Sequence, residues 1–182
     1  MIYVIAEDNY FAAGIMAILT NADIHASHVS INEFNVLDDN VDHNDIILLC
    51  AQSRTDSLAL TRLAKRTDGK VIFFIDTTLK IKTLNFSYKG VISKKSLKEE
   101  LIELISIAVR KNRESAVYLS RQEKIVMDLF AQQQDAYHIA RRLNLSEKTV
   151  GAHKVNALKK LGLHHLNARS VLLYEHVFQT RV

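Results

Sequence analysis

The chain has 182 residues, and 48% of them are hydrophobic, which is enough to fill the cores of two small domains. No apolar run reaches membrane-spanning length, no cleavable signal pattern is present, and the single cysteine rules out an intrachain disulfide framework. A membrane protein and a disulfide-stapled secreted domain are therefore disfavoured, and we expect a cytoplasmic protein.

The formal net charge of +4 is unevenly divided along the chain. Residues 1–110 carry 12 Lys and Arg against 14 Asp and Glu, a net of −2, whereas residues 111–182 carry 12 against 6, a net of +6. This asymmetry predicts that the C-terminal part meets a polyanion.

Strand and helix patterns alternate along the N-terminal part. Short apolar runs predict strands, and amphipathic segments predict helices between them. The predicted strands are Ile2–Ala6, Ala26–Ile31, Asp45–Cys50, Val71–Ile75 and Gly90–Ile92. The predicted helices are Phe11–Leu19, Ser57–Lys65 and a segment that runs from a capping box at Ser96 and Glu99 to about Arg110. The alternation predicts an α/β domain with a parallel sheet that is covered on both faces.

The C-terminal part is predicted to be all-helical, with four helices. A capping box at Ser120 and Glu123 opens the first helix, and the second helix ends at a tight break at Asn144. Ser146 can cap the third helix, which is basic, and Leu166–Val177 has the apolar spacing of a fourth. Two helices across a short turn, the second capped and basic, form a helix-turn-helix arrangement.

This C-terminal pattern resembles the DNA-binding domain of the LuxR/NarL family of bacterial transcription regulators. The shared elements are Leu-Ser-x-x-Glu, Ile-Ala-x-x-Leu, Leu-Ser-x-x-Thr-Val-x-x-His and Lys-Leu-Gly, which start at Leu119, Ile139, Leu145 and Lys160. Two positions depart from the family pattern: Gln133, near which the family usually has Gly, and Gly151, where it usually has a polar residue. The resemblance implies a domain that binds double-stranded DNA.

The family docking also implies which residues of the third helix meet DNA. The inward residues are expected to be Val150, Leu158 and Leu161. The expected DNA-binding residues are Lys148, Thr149, Gly151, Ala152, His153, Lys154, Val155 and Lys160, and Lys159 is a further outward position. The residues that donate hydrogen bonds suit phosphates, whereas Gly151, Ala152 and Val155 offer only close approach and contact with thymine methyls. Direct readout of bases is therefore predicted to be poor.

The N-terminal order resembles the receiver domain that precedes this helix-turn-helix in NarL-type response regulators. Gly14 and the segment that starts at Gly90 match the family's anchors. A receiver needs an aspartate nucleophile at the end of its third strand and two acidic residues after its first strand to hold Mg²⁺. Here Cys50 stands in the place of the nucleophile and Ala6 in the place of one acidic residue.

The resulting pocket is predicted to be degenerate. Its remaining candidates are Glu7, Asp8 and Lys94, with Thr77 or Thr78 as the hydroxyl. We expect no phosphorylation in the usual way, no catalytic residue, no metal site and no cofactor. Cys50 is expected to be a buried apolar residue rather than a redox sensor.

These patterns predict a receiver-like domain over residues 1–110, a linker over 111–118 and a LuxR-type domain over 119–182. The predicted function is sequence-specific transcription regulation by a dimer on promoter DNA, independent of aspartyl phosphorylation, and the protein is not expected to be an enzyme. Two alternatives stay open: a ligand-sensing N-terminal domain, and an auxiliary partner that heterodimerises with a related regulator.

Overall fold

The computed structural model describes residues 1–30, 33, 41–50, 67–76, 82–85, 89–110, 118–164 and 169–175. The chain divides into two compact units, Met1–Ser115 and Ala116–Val182. The first unit is an α/β unit and the second is all-helical, which confirms the predicted fold class. None of the helices in the described residues has the length and apolar character needed to cross a membrane.

The N-terminal unit is built on a six-stranded sheet. Its strands are β1 (Ile2–Ala6), β2 (Ser27–His28), β3 (Ile46–Cys50), β4 (Lys70–Ile75), β5 (Lys82–Asn85) and β6 (Lys89–Ser93). The order across the sheet is β2-β1-β3-β4-β6-β5. Five strands run parallel, and β5 pairs antiparallel with β6 at the edge. The described helices of this unit are α1 (Asn9–Thr20) and α2 (Lys98–Arg110).

The core of this unit lies on both faces of the sheet. All five residues of β3 are buried, so the strand reads as one apolar run, as expected for a strand covered on both sides. Alternate residues of the central strands, Cys50 among them, pack with buried residues of α1 and α2 on one face. The intervening residues, such as Ile47 and Val71, have no exposed surface.

A buried lysine joins the sheet to α2. Lys70 is 2% exposed, and its ammonium donates a 2.7 Å hydrogen bond to the carbonyl oxygen of Ala108 in the last turn of the helix. A cation suits this position, because a helix C-terminus carries partial negative charge. Burial lowers the pKa of Lys70.

Three features of this unit differ from the sequence predictions. The second strand is only Ser27–His28, and β5 was not predicted at all. The capping box predicted at Ser96 and Glu99 is wrong, because the Leu97 amide donates to the Glu100 carboxylate instead, at 3.0 Å. The predicted helix Ser57–Lys65 and the two candidate threonines lie outside the described residues.

The C-terminal unit contains the predicted succession of helices. They are α3 (Arg121–Ala131), α4 (Ala136–Leu143), α5 (Glu147–Lys160) and α6 (Arg169–Leu173). A buried cluster that joins α3, α4 and α5 contains Val126, Leu129, Ile139, Ala140 and Val150. Just after α6, the buried Tyr174 donates a 2.8 Å hydrogen bond to Asp128 of α3, and so holds the last described turn against the core.

Candidate functional site

Side-chain caps fix where each helix of the helix-turn-helix begins. The predicted capping box is confirmed: the Ser120 amide donates to Glu123 at 2.7 Å, and the Glu123 amide donates to the Ser120 hydroxyl at 3.2 Å. Asp135 caps α4, and Ser146 accepts from the Thr149 amide at 3.0 Å to cap α5. These bonds satisfy amides that a helix start leaves without partners.

The break between α4 and α5 is a left-handed residue. Asn144 has φ 53° and ψ 46°, the conformation in which a short polar side chain is tolerated better than most. The chain therefore turns within three residues, and α5 packs against both α3 and α4.

One face of α5 belongs to the core and the opposite face meets solvent. The residues Val150, Ala157, Leu158 and Leu161 are buried, which confirms the three predicted inward positions. Apart from Glu147 in the first turn, the exposed residues of α5 recur at i, i+4, i+7, i+8 and i+11, so they share one side of the helix. We call them the exposed α5 face: Lys148, Ala152, Val155, Asn156 and Lys159.

Lys160 lies in the scaffold of the domain. Its ammonium is 2.7 Å from a carboxylate oxygen of Glu123, whose side chain is only 7% exposed. Burial by itself raises the pKa of Glu123, but hydrogen bonds from Lys160 and Ser120 outweigh it and hold that pKa below its ordinary value. Lys160 thus joins the end of α5 to the start of α3, and its predicted contact with phosphate stays a prediction.

Lys154 also contacts its own domain. Its ammonium lies 4.3 Å from the centre of the half-buried Phe130 ring, in cation–π geometry. Three further predicted residues, Thr149, Gly151 and His153, lie on the flanks of the helix. Thr149 is half-buried and bonded to the Ser146 hydroxyl at 2.8 Å, and His153 is half-buried. Gly151 is half-buried too, but a Cβ built there meets nothing within 4 Å.

Sequence reasoning missed three exposed polar residues of this domain. Asn156 lies on the exposed α5 face, one helical turn after Ala152, and the four-residue spacing could have identified it. Arg141 and Arg142 are exposed in the last turn of α4, the helix that crosses the DNA backbone in helix-turn-helix proteins. Arg141 lies 5.8 Å from the centre of the Tyr137 ring.

The predicted pocket of the N-terminal unit lies at the carboxyl edge of the sheet. Ala6 and Cys50, the last residues of β1 and β3, are direct partners in the parallel pairing. Cys50 is 1% exposed. Burial raises the pKa of the Cys50 thiol, the Lys94 ammonium lowers it in part, and Asp8 adds to the rise. The structure therefore brings Asp8 and Lys94 close enough to Cys50 to act on its buried thiol.

The two acidic residues after β1 have different surroundings. Asp8 is the N-cap of α1, and its carboxylate accepts from the amides of Tyr10 and Phe11 at 2.9 and 3.1 Å. Glu7 is exposed and lines a cavity of ≈ 270 Å³ that Cys50 also lines. Within the described residues, no three His, Cys, Asp or Glu side chains are arranged to hold a metal ion.

Comparison with known proteins identifies the C-terminal unit. Residues 117–172 match the family model described as "Bacterial regulatory proteins, luxR family". Comparison with curated protein sequences finds no match. The matched residues include the whole of α3, α4 and α5.

Solved structures of response regulators resemble the whole chain at low identity. The two-component response regulator RcsB in its DNA complex is 18% identical with a TM-score of 0.48, over 95% of this chain and 96% of that one. The response regulator StyR is 20% identical with a TM-score of 0.47, over 96% and 97%. Full-length FixJ from B. japonicum is 16% identical with a TM-score of 0.46, over 94% and 97%.

Proposed function

We propose that this protein, whose C-terminal unit is a LuxR-family domain, is a sequence-specific transcription regulator that presents α5 to the major groove of promoter DNA. The observation that carries the proposal is the exposed α5 face, which combines two lysines with three neutral residues. A capped helix with this face offers cations to phosphates and small side chains to base edges.

The test is the salt dependence of duplex binding by the full chain. Lys148→Ala removes one exposed ammonium from the exposed α5 face, so the slope of log K against log salt should fall in magnitude by roughly 0.9. Lys95→Ala is the matched control, because it removes a 62%-exposed lysine from the N-terminal unit and should leave the slope unchanged. Absence of duplex binding at low salt, or identical slopes for both variants, would refute the proposal.

We further propose that the regulator works without aspartyl phosphorylation. The support is chemical: a buried thiol occupies the end of β3, and the carboxylate of Asp8 is engaged at the start of α1. A thiol cannot form the acyl phosphate that an aspartate forms. Incubation with acetyl phosphate and Mg²⁺ should add no phosphate by intact-mass spectrometry, and DNA affinity should be the same before and after. Acid-labile phosphate on the unmodified protein would overturn this proposal.

We propose, finally, that the regulator acts as a dimer. Helix-turn-helix proteins gain affinity by binding two half-sites, and the N-terminal unit has a surface suited to association. Tyr10 and Leu97 are 93% and 60% exposed beside a groove of ≈ 260 Å³ that α1 and the start of α2 line. Light scattering should show a dimer that the double variant Tyr10→Ser, Leu97→Ser converts to a monomer. A wild-type monomer at all concentrations, with or without duplex, would contradict it.

A further inference from the structure

Between its two lysines, the exposed α5 face carries one side chain that can both donate and accept hydrogen bonds. That side chain is Asn156, and its exposed neighbours on the face are the apolar Ala152 and Val155. We infer that Asn156 reads adenine, so that the protein selects an A·T pair at one position of each half-site. The inference rests on the proposed DNA-binding function and names how its sequence preference arises.

The position of Asn156 on the helix supports this role. At 100° per residue, Asn156 lies about 40° from Ala152 around the axis, and Val155 lies about 60° away on the other side. Ala152 itself points away from the buried residues of α5. Asn156 is therefore closer to the centre of the solvent face than Val155, which is 47% exposed.

The two lysines of the exposed α5 face are far enough apart to bind phosphates on both sides of the major groove. Lys148 and Lys159 are eleven residues apart, which corresponds to about 16 Å along the helix. The major groove is about 12 Å wide, so lysines at both ends reach the phosphate backbones on its two sides. The residues between them, including Asn156, then lie over the base edges.

The chemistry of the amide favours adenine over guanine. The Asn156 Nδ2 group can donate to adenine N7 while Oδ1 accepts from the adenine N6 amino group. Guanine presents two acceptors, N7 and O6, so the amide oxygen would face another oxygen. Ala152 and Val155 can contact thymine methyl groups on either side of the pair. Together these side chains predict A·T pairs where this part of α5 meets the bound sequence.

The experiment is a selection of the full chain on a library of random duplex DNA, with wild type, Asn156→Ala and Lys159→Ala compared. Asn156→Ala keeps the helix intact, because Asn156 is exposed and Ala has the higher helix propensity. It should reduce the preference for A·T at one position per half-site by ~5- to 150-fold and leave the other positions unchanged. Lys159→Ala, on the same face, should weaken all sequences about equally and keep the A·T preference.

Each outcome decides a separate point. If wild type selects a motif and Asn156→Ala selects the same motif with equal strength, the inference is wrong and the DNA-binding function stands. Wild-type binding with no base preference also overturns the inference, and with it the sequence-specific part of the proposed function. Failure of wild type to retain any duplex overturns the proposed function itself.

Discussion

The two units differ in how far their polar side chains match the patterns of the families that they resemble. In the C-terminal unit, every predicted cap is present: Ser120, Glu123 and Ser146 make the expected hydrogen bonds. At the carboxyl edge of the N-terminal sheet, the strands pair in register, and Ala6 and Cys50 are direct partners there. The resemblance to receiver domains would instead place a metal ligand and the nucleophile at these two positions.

This difference follows from what each region needs in order to fold. A helix cap is itself a stabilising contact, so losing one costs about 1 kcal/mol of the free energy of unfolding. The end of a buried strand needs only a side chain of suitable size and polarity, and Cys50 meets that need at 1% exposure. The side chain at a buried strand end can therefore vary without loss of the sheet, whereas the caps are part of the helical fold. Four predictions test this contrast.

The largest loss of stability is expected when the ion pair between Lys160 and Glu123 is broken. Lys160→Ala leaves the carboxylate of Glu123, 7% exposed, without its ammonium partner. The free energy of unfolding of the C-terminal unit should fall by about 2 to 3 kcal/mol, below the usual range for a fully buried pair because Lys160 is itself 34% exposed. Lys159→Ala is the matched control and should change stability by less than about 0.5 kcal/mol. Urea titration followed by circular dichroism measures both.

The pH dependence of this loss has a definite sign. The pKa of Glu123 is lowered in the folded wild type, so its contribution to stability is present above the unfolded pKa of about 4.3 and is lost as the pH falls through the folded pKa. In Lys160→Ala, burial instead disfavours the carboxylate. The difference in free energy of unfolding between wild type and Lys160→Ala should therefore narrow as the pH falls toward and then through the unfolded pKa of about 4.3. A gap that stays constant with pH would show that Glu123 and Lys160 are not coupled.

At the sheet edge, restoring the missing nucleophile should cost stability without restoring chemistry. Cys50→Asp places a carboxylate at a buried strand end where Lys94 offsets only part of the charge, so we expect a loss of about 2 kcal/mol. Phosphorylation by acetyl phosphate and Mg²⁺ should remain absent, because Ala6 supplies no metal ligand. Cys50→Ala controls for the loss of the thiol alone. Ready phosphorylation of Cys50→Asp would mean that the pocket is one substitution away from a working receiver.

The sequence predicted the elements whose signals are local. The apolar run ending at Cys50 and the cap at Ser146 each depend on residues a few positions apart, and both are confirmed. The edge strand β5 was missed because Lys82–Asn85 has no apolar alternation and forms only by pairing with β6. The start of α2 was misplaced by one residue because Ser96 and Leu97 both precede a glutamate at cap spacing.

The sequence predicted the exposure of the candidate DNA-binding residues better than it predicted their tertiary contacts. Helical spacing correctly separates the buried Val150 from exposed positions such as Lys148, because both signals lie within one helix. It cannot show that Lys160 meets Glu123, since the two residues are 37 positions apart and come together only through packing. The engagement of Lys154 with Phe130 is tertiary in the same sense.

A third prediction concerns Gln133, a non-glycine residue with a positive φ angle. Gln133, near which LuxR-type domains usually have Gly, has φ 62° just after α3. Because a non-glycine residue is disfavoured there, Gln133→Gly should raise the free energy of unfolding by about 0.5 to 1 kcal/mol. Its neighbour Gln132 has φ −78°, so Gln132→Gly should give no gain. Equal changes in Tm for the two variants would contradict the strain.

The smallest effect is expected for Lys154, which contacts its own domain, and it is compared with the effect of Lys148 on the exposed α5 face. Lys154→Ala removes the ammonium from the Phe130 ring, which at a half-buried site should cost about 0.5 to 1 kcal/mol of stability. Its effect on duplex affinity and on the salt slope should be much smaller than that of Lys148→Ala, measured by anisotropy in the same buffer. The reverse ranking would mean that Lys154 leaves Phe130 to contact phosphate. The DNA-facing surface would then extend around the flank of α5 toward α3. A lysine that contacts its own domain in the free protein could then still bind phosphate in the complex.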